Sequence, residues 1–293
     1  MAKTILMTGA TGSVASQILP LLANKGVTVR ALVRDPSSAK AKQLATGAGV
    51  ELVRGDLEEH RELPAAFAGA DTVVIIHPPG PRAPCQSSNA LWAAKRAGAK
   101  RVVRLSAIGA GYDAPTVNGR MHGLSDHEVV ASGLAYTIIK PHFFMQNLMM
   151  AAQTIAKDGA IYMPLGDGKL PMIDVRDIGE FFARVLLDDA HDGLTYTITG
   201  PAAITLHDVA AAASRALGKP VKYQPVPLEA ALQGMGGMGI DSWNLGALAD
   251  YFQAYARSWA SDVTPDFERV VGHPARAIDE FVTTLGAMRP GAR

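Results

Sequence analysis

Two glycines and an alanine near the start of the chain have the types and spacing of a site for nucleotide phosphates. Gly9, Gly12 and Ala15 follow an apolar run at 4–7 and lead into a helical pattern at 18–22. The first glycine allows a tight turn, the second lets the backbone approach a pyrophosphate, and the small third residue lets the helix pack on the strand. The helix N-terminus then presents free N–H groups and partial positive charge. The segment predicts the strand, turn and helix of a dinucleotide site.

The end of the second predicted strand bears on the choice between NAD and NADP. Arg34 stands about twenty residues beyond the glycine turn, where a carboxylate binds the 2′-hydroxyl of NAD and a guanidinium binds the 2′-phosphate of NADP. Arg34 favours NADP, whereas a shift in register to Asp35 would reverse the choice. After the third strand, Asp56 can accept a hydrogen bond from the adenine amine, can cap the following helix, or can do both.

Polar residues also follow the fourth and fifth predicted strands. Ser106 ends the fifth strand, where its hydroxyl can donate a hydrogen bond to a substrate carbonyl. Pro78 follows the fourth strand, and its rigid backbone suits a wall along a ribose or nicotinamide face. The neighbouring His77 side chain either takes part directly or only completes a turn.

Two residue pairs with a spacing of four could carry out proton transfer. Tyr136 and Lys140 match an acid and its lysine partner only if they lie on a helix. Their β-branched surroundings predict a strand, which places them about 13 Å apart, so we reject this pair. His122 and Asp126 share a face of a predicted helix, so the carboxylate can hold the imidazole. A solvated polar face is the alternative for Asp126 and His127.

Strand-like and helical patterns alternate along most of the chain. Strands are predicted at 4–7, 27–33, 50–53, 72–76, 101–105, 136–139 and 195–198, and helices include 120–131, 206–217 and 278–285. Strands that are apolar on both faces and separated by helices predict an α/β, Rossmann-type fold with a doubly wound parallel sheet. Its ligand crevice lies at the carboxyl ends of the strands. We expect a dinucleotide-binding domain over 1–150 and a smaller, substrate-covering C-terminal region over 151–293, interleaved with the last strand of the sheet at about 194–199.

Apolar residues after the sixth strand and in a glycine-rich patch could line a substrate pocket. The patch at 234–239 is predicted to be a loop, either a plain surface loop or a mobile lid whose methionines make adaptable contacts. The predicted pocket residues are Phe143, Phe144, Met145, Met235 and Met238.

The composition indicates a globular protein that acts on small molecules. Of the 293 residues 48% are hydrophobic and 19% are charged, and the net charge of +1 indicates neither a nucleic-acid surface nor a basic membrane patch. Cys85 is the only cysteine, which excludes an internal disulfide and a CxxC motif. The histidines lack metal-ligand spacing, so no metal is expected. No run reaches the ~18 apolar residues of a membrane span, and no signal-peptide core precedes the first strand, so we expect a cytoplasmic protein.

Seven stretches resemble the NmrA-like branch of the atypical short-chain dehydrogenases, and together they cover nearly the whole chain. They are TGATGSVA, the arginine of ALVRDP, GDL, LSAIGA, SGLAYTIIKPHFFMQNL, TYTITGPAAITLHDVAAAASRALGKPVKYQPVP and FERVVGHPARAIDEFV. The branch includes NAD(P)H-dependent quinone, triphenylmethane-dye and azo-dye reductases, and also NADP-sensing regulators without known catalysis.

The resemblance implies a set of cofactor contacts. The phosphates are placed at Gly9, Thr11, Gly12, Ser13 and Val14, the 2′-phosphate at Arg34, adenine at Asp56 and Leu57, and the nicotinamide side at His77, Pro78, Ser106, Pro141 and Phe143. The chain also departs from the family pattern. Lys140 replaces the usual arginine, Gln146 stands where glutamate is common, and the helix lacks the catalytic lysine of isoflavone-reductase relatives, which argues against a proton relay.

These observations together predict an NADPH-dependent reductase that transfers hydride to an apolar, electron-deficient acceptor such as a quinone or a dye. The candidate catalytic residues are His122 and Ser106. The first alternative is a non-catalytic, NADP-sensing regulator of the NmrA type. The second is a sugar-nucleotide epimerase or dehydratase, which needs an acid/base tyrosine that the sequence does not supply.

Overall fold

A seven-stranded sheet dominates the computed structural model, which describes residues 2–46 and 50–287. Within those residues the sheet order is β3-β2-β1-β4-β5-β6-β8, and β7 and β9 form a separate parallel pair. The strands are β1 (Lys3–Met7), β2 (Val27–Val33), β3 (Val50–Arg54), β4 (Thr72–Ile75), β5 (Arg101–Leu105), β6 (Ala135–Pro141), β7 (Ala160–Met163), β8 (Leu194–Ile198) and β9 (Lys222–Pro225).

The first six strands of this sheet pair in parallel, as expected for strands that alternate with helices. The helices are α1 (Ala15–Leu22), α2 (Ala39–Ala45), α3 (Leu63–Phe67), α4 (Ala83–Arg96), α5 (Val117–Ala131), α6 (Ala152–Asp158), α7 (Val175–Leu187), α8 (Leu206–Leu217), α9 (Leu228–Gly237), α10 (Ser242–Ala256), α11 (Asp266–Val271) and α12 (Ile278–Ala287). Short 3-10 segments cover His60–Glu62, Met145–Ala151 and Asp189–His191. The prediction of a Rossmann-type α/β fold is confirmed.

The chain forms two compact units. Unit 1 contains the described residues of Met1–Ala114, Asn118–Lys140 and Ile178–Thr197. Unit 2 contains the described residues of Pro115–Val117, Pro141–Asp177 and Ile198–Arg293. The functional division at residue 150 stays a prediction.

Each unit has its own apolar core. In unit 1, Leu6, Val73 and Val102 come from three neighbouring strands and pack with Phe67 of α3. Because strands of a parallel sheet covered by helices are buried on both faces, they are mainly apolar, which is the pattern that predicted them. In unit 2 the core is built mainly from helices and the β7–β9 pair, whose members include Leu148, Ile161, Val209, Tyr223, Phe252 and Phe281.

The glycine-rich patch at 234–239 is largely helical, so its prediction as a loop is wrong. Helix α9 runs through Gly237 and buries Met235, while Leu228 two turns earlier packs against the same core. This apolar spacing lets packing outweigh the low helix propensity of glycine. Met238 follows the helix and is 65% exposed.

Candidate functional site

The turn after β1 has a geometry that requires glycine at its first position. Gly9 has φ +61°, and a Cβ atom there would lie 2.7 Å from the carbonyl oxygen of Ile76. The Gly12 N–H donates to the Gly9 carbonyl at 2.9 Å and closes the turn. Any side chain at position 9 would therefore collide with the segment that follows β4.

Thr8 joins the glycine turn to that same segment. Its side chain is fully buried, and Oγ1 donates to the Ile76 carbonyl at 2.7 Å while accepting from the Ile76 N–H at 2.9 Å. Because His77 is the next residue, the two hydrogen bonds fix where the His77 segment leaves the sheet.

The surface between the glycine turn and α1 is open to an anion. Thr11, Gly12 and Ser13 are exposed. Among the described residues none accepts a hydrogen bond from the backbone N–H of Ser13 or Val14. Unpaired N–H groups at the N-terminus of a helix are suited to bind phosphate. These residues therefore fit the phosphates of a dinucleotide.

Arg34 and Asp35 differ in their availability to a ligand. Arg34 is exposed just beyond β2, and within the described residues it makes no hydrogen bond or ion pair. Asp35 instead accepts from both the hydroxyl and the backbone N–H of Ser37, at 2.6 and 2.8 Å, and these bonds lower its pKa. One carboxylate oxygen of Asp35 is thus used within its own loop, while the guanidinium of Arg34 stays available.

Asp56 closes a turn and is the N-cap of neither the following 3-10 segment nor α3, so the prediction that it caps the next helix is wrong. Its Oδ1 accepts from the Glu58 N–H at 3.0 Å in the turn before the 3-10 segment His60–Glu62. The carbonyl of the next residue, Leu57, accepts from Asn89 at 2.7 Å. The contact of Asp56 and Leu57 with adenine stays a prediction.

The residue at the centre of the polar cluster in unit 1, Arg104, was not among the predicted site residues. Arg104 lies on β5 and is fully buried, and its Nε donates to Oδ1 of Asp126 on α5 at 2.8 Å. Its Nη1 also lies 3.3 Å from the hydroxyl of Ser87. A charged residue between the apolar residues of a predicted central strand was the available signal, because such a charge requires a buried partner.

The other guanidinium contacts of Arg104 are to two histidines. Nη1 lies 3.3 Å from Nε2 of His77, and Nη2 lies 3.2 Å from Nδ1 of His122. The two rings stack, with centroids 5.6 Å apart. Burial and the nearby guanidinium lower the pKa of His77 to about 4 and hold the pKa of His122 well below its usual value. Both imidazoles are therefore neutral near pH 7.

The second oxygen of Asp126 binds two further candidates. Ser106 donates to Oδ2 at 2.7 Å, and the Lys140 ammonium lies 3.3 Å from the same atom. Asp126 is 4% exposed, so its placement on a solvated face is wrong, although His127 is exposed as that hypothesis expects. We expected Asp126 to bind the imidazole of His122, but it binds Arg104 instead. The guanidinium gives the buried carboxylate a charged partner. The hydroxyl proton of Ser106 is engaged with Asp126.

The strand prediction for Tyr136 and Lys140 is confirmed. Both lie on β6. Tyr136 packs against the apolar core of unit 1, whereas Lys140 donates to the Ala110 carbonyl at 2.9 Å and faces Asp126. The two side chains therefore have different contacts and do not form a pair.

Unit 2 contains the residues predicted to line the substrate pocket. Phe143 and Phe144 are partly exposed, whereas Met145 and Met235 are buried in the core. Pro141, at the end of β6, is also buried. Among the pocket candidates described in this unit, the two phenylalanines and Met238 therefore present accessible surface.

An aromatic group surrounds Phe143 within unit 2. The ring of Phe143 meets Tyr255 edge-on, with centroids 5.9 Å apart. Tyr255 in turn stacks on Tyr251 at 5.4 Å and lies 6.0 Å from Trp259. Burial raises the pKa of Tyr255 well above its usual value, so its phenol stays protonated. Tyr255 is itself buried, so the partly exposed rings of Phe143, Tyr251 and Trp259 are the ones that can contact another aromatic molecule.

Two kinds of feature are absent from the described residues. Across residues 2–46 and 50–287, His, Cys, Asp and Glu side chains form no group of three or more that could hold a metal ion. In the same part of the chain no helix is both long and apolar enough to cross a membrane.

A parallel α/β sheet with a tight glycine turn, an open helix N-terminus and an exposed arginine after β2 defines a dinucleotide-binding protein. The chain belongs to the NmrA-like family, whose model matches residues 1–278. This membership confirms the resemblance seen in the sequence.

Three reductases are similar to this chain in sequence or in structure. The NAD(P)H azoreductase of Xenophilus azovorans is 40% identical over 97% of this chain and 98% of its own length. The NADPH-dependent quinone oxidoreductase of Escherichia coli, solved with NADPH, has a TM-score of 0.86 at 26% identity and covers 96% of this chain and 99% of its own. The triphenylmethane reductase of Citrobacter sp. also gives a TM-score of 0.86, at 24% identity, over 97% of this chain and all of its own, and it supports the fold alone.

Proposed function

We propose that this protein is an NADPH-dependent reductase that transfers hydride to an apolar, electron-deficient acceptor such as a quinone or a dye. The protein is an NAD(P)H-dependent oxidoreductase, the class to which its azoreductase and quinone oxidoreductase relatives belong. The observation that carries the proposal is the pairing of an open glycine turn with an unpaired arginine after the second strand. A bound nicotinamide nucleotide supplies the hydride.

The proposed cofactor contacts lie in unit 1. The backbone at Gly9, Thr11, Gly12, Ser13 and Val14 binds the phosphates. Asp56 and Leu57 border the adenine, and within this unit the nicotinamide side is assigned to His77, Pro78 and Ser106. Arg34 binds the 2′-phosphate, and the use of Asp35 within its own loop supports NADP(H) over NAD(H).

His122 is the proposed hydrogen-bond donor to the acceptor. Its imidazole is neutral, and its side chain is partly exposed. A neutral donor can stabilise charge that develops on an acceptor oxygen or nitrogen, or can orient the water that protonates the product. The role proposed for Ser106 is indirect. Its hydroxyl donates its proton to Asp126, so Ser106 contributes through its hydrogen bond to that carboxylate. Proximity and orientation supply most of the rate enhancement, so no strong acid is needed.

The acceptor is proposed to contact unit 2. Phe143 and Phe144 are partly exposed, and the aromatic group that includes Tyr255 favours a planar, conjugated acceptor. This assignment places cofactor binding mainly before residue 150 and substrate contacts mainly after it. With a net charge of +1 and a single cysteine, the chain is proposed to act on small molecules in the cytoplasm.

NADPH oxidation with a panel of quinones, azo dyes and triphenylmethane dyes tests the proposal. Consumption of NADPH should depend on the acceptor, and His122→Ala should lower the rate by roughly tenfold or more, in the range of hydrogen-bond catalysis. His127→Ala, on the exposed face of the same helix, is the matched control and should keep the rate. Tight NADPH binding without turnover on any acceptor would favour the regulator instead.

A further inference from the structure

The guanidinium of Arg104 determines which nitrogen of His122 can carry a proton. Arginine has five N–H donors and no acceptor, so every hydrogen bond it makes to a ring nitrogen uses that nitrogen's lone pair. Nη2 lies 3.2 Å from Nδ1 of His122. Nδ1 must therefore be unprotonated, and a neutral imidazole must then carry its proton on Nε2.

The neighbouring histidine provides an internal check of this donor direction. Nη1 of Arg104 lies 3.3 Å from Nε2 of His77, which makes Nε2 the acceptor. The other nitrogen of His77 lies 3.1 Å from the Pro78 carbonyl, which can only accept. His77 thus carries its proton on Nδ1, and both of its contacts agree with one tautomer.

The charges around His122 oppose its protonation. The cations Arg104 and Lys140 face it from β5 and β6, the neutral ring of His77 lies against it from the segment after β4, and Asp126 lies one turn along its own helix. The carboxylate of Asp126 is shared by Arg104, Ser106 and Lys140. A proton on Nδ1 would face the guanidinium directly, so it would cost the hydrogen bond and add like-charge repulsion.

We infer that Arg104 is a positioning residue that fixes His122 as a neutral imidazole with its proton on Nε2. No described residue accepts a hydrogen bond from that nitrogen, and the His122 side chain is partly exposed. The Nε2–H group is therefore available to a bound molecule. The catalytic meaning of this arrangement rests on the proposed function, in which Nε2–H donates to the acceptor heteroatom that gains electron density.

This assignment specifies the class of acceptor atom. A ring that presents only a donor selects a heteroatom with a free lone pair, such as a quinone oxygen or an azo nitrogen. Nε2 of His122 can therefore only donate a hydrogen bond, because Arg104 excludes the tautomer in which Nε2 would accept one. An acceptor whose reacting end carries only N–H or O–H donors gains nothing from this residue.

Nuclear magnetic resonance tests the inference without any cofactor. Long-range 1H–15N correlations of the 15N-labelled protein, with His122 assigned by its loss in His122→Asn, distinguish protonated from unprotonated ring nitrogens. We expect unprotonated Nδ1 and protonated Nε2 from about pH 6 to about pH 8. A wild-type His122 that is protonated on Nδ1, present as a mixture, or charged in that range would overturn the inference.

Two variants separate positioning from a structural role. Arg104→Gln should release His122 into a mixture of tautomers, whereas Ser87→Ala removes another contact of the same guanidinium and should leave the tautomer unchanged. If Arg104→Gln does not fold, the wild-type spectrum decides. The expected tautomer together with an undiminished rate in His122→Ala would contradict the proposed role of His122 in reduction and leave its positioning by Arg104 intact.

Discussion

Arg104 and Asp126 form an ion pair that is almost completely removed from solvent. Nε of the guanidinium lies 2.8 Å from Oδ1 of the carboxylate, and the two residues are 0% and 4% exposed. Removing one partner from such a pair leaves the other charge buried without compensation.

Asp126→Ala should therefore lower the free energy of unfolding by about 3–5 kcal/mol. Urea denaturation followed by circular dichroism measures the change. Glu128→Ala, on the same helix at an exposed position, should cost less than about 1 kcal/mol. A similar decrease in unfolding free energy in the two variants would show that the buried ion pair does not contribute more to stability than an exposed residue does.

Arg34→Asp should narrow or invert the preference of the protein for NADPH over NADH. The loss of a charge-assisted contact with the 2′-phosphate is expected to cost roughly 1.5 to 3 kcal/mol of NADPH binding. Titration calorimetry with both cofactors measures it. Arg96→Asp makes the same change at an exposed position in α4 and should leave both affinities unchanged. Equal affinities in the wild-type protein would overturn the assignment of Arg34.

Tyr136→Phe should keep acceptor turnover within about tenfold of the wild type, because a true general acid contributes roughly a hundredfold or more. Tyr136 packs against the core of unit 1 from strand β6. Steady-state kinetics with a quinone acceptor measure the effect, with cofactor affinity as the control. A larger loss of turnover in a folded Tyr136→Phe variant would indicate that Tyr136 is a proton donor.

Acidification should destabilise the folded chain through His142. This buried residue donates from Nε2 to the Ala260 carbonyl at 3.1 Å, and burial lowers its pKa from 6.5 to about 4. The unfolded chain binds a proton there as the pH falls below about 6.5 while the folded chain does not, so stability decreases from that pH down to about pH 4.

The difference in unfolding free energy between pH 7 and pH 5 should be smaller in His142→Asn than in the wild type by about 2 kcal/mol. Urea denaturation at the two pH values gives the difference. His127→Asn, at an exposed position, should behave as the wild type does. An unchanged pH dependence in His142→Asn would mean that His142 titrates normally in the folded state.

Phe144→Leu should raise KM for aromatic acceptors about three- to tenfold, the loss expected for one aromatic contact. The ring is partly exposed in unit 2. NADPH affinity should not change. Tyr162→Leu removes another exposed ring of unit 2 and should leave KM for the acceptor at its wild-type value. A fall in NADPH affinity in Phe144→Leu would place this residue at the cofactor instead.

Local patterns were sufficient to predict the main sheet. The seven predicted strands match β1 to β6 and β8, with ends that differ by no more than two residues, because each strand is a short run rich in apolar and β-branched residues. The β7–β9 pair was missed. Its strands are four residues each, and β9 begins with lysine and ends with proline, so neither strand carries a strong pattern.

The polar cluster could not be predicted in the same way. The partners of Arg104 lie 22 residues away at Asp126 and 27 residues away at His77. They meet because the sheet order places β4 beside β5 and because α5 covers that face, which is information about topology and not about local sequence. The helical structure around Met235 was missed for a similar reason, since packing on the unit 2 core decided the conformation of a glycine-rich segment.

The Thr8 hydroxyl completes the hydrogen bonding of the sheet where β1 ends. Beyond the Thr8 N–H, which still donates to the Val74 carbonyl, the backbone turns away from β4, yet both main-chain groups of Ile76 stay paired because the Thr8 hydroxyl supplies one donor and one acceptor. A side chain thus replaces a missing peptide unit at the edge of the ladder. Valine has the same shape but would leave two polar groups without partners in the interior, and cysteine offers only weak pairing. Of the other small residues, serine alone has a hydroxyl that can both donate and accept in this way. Hydrogen bonding therefore restricts the residue type at position 8, as the close approach of Ile76 restricts it at position 9.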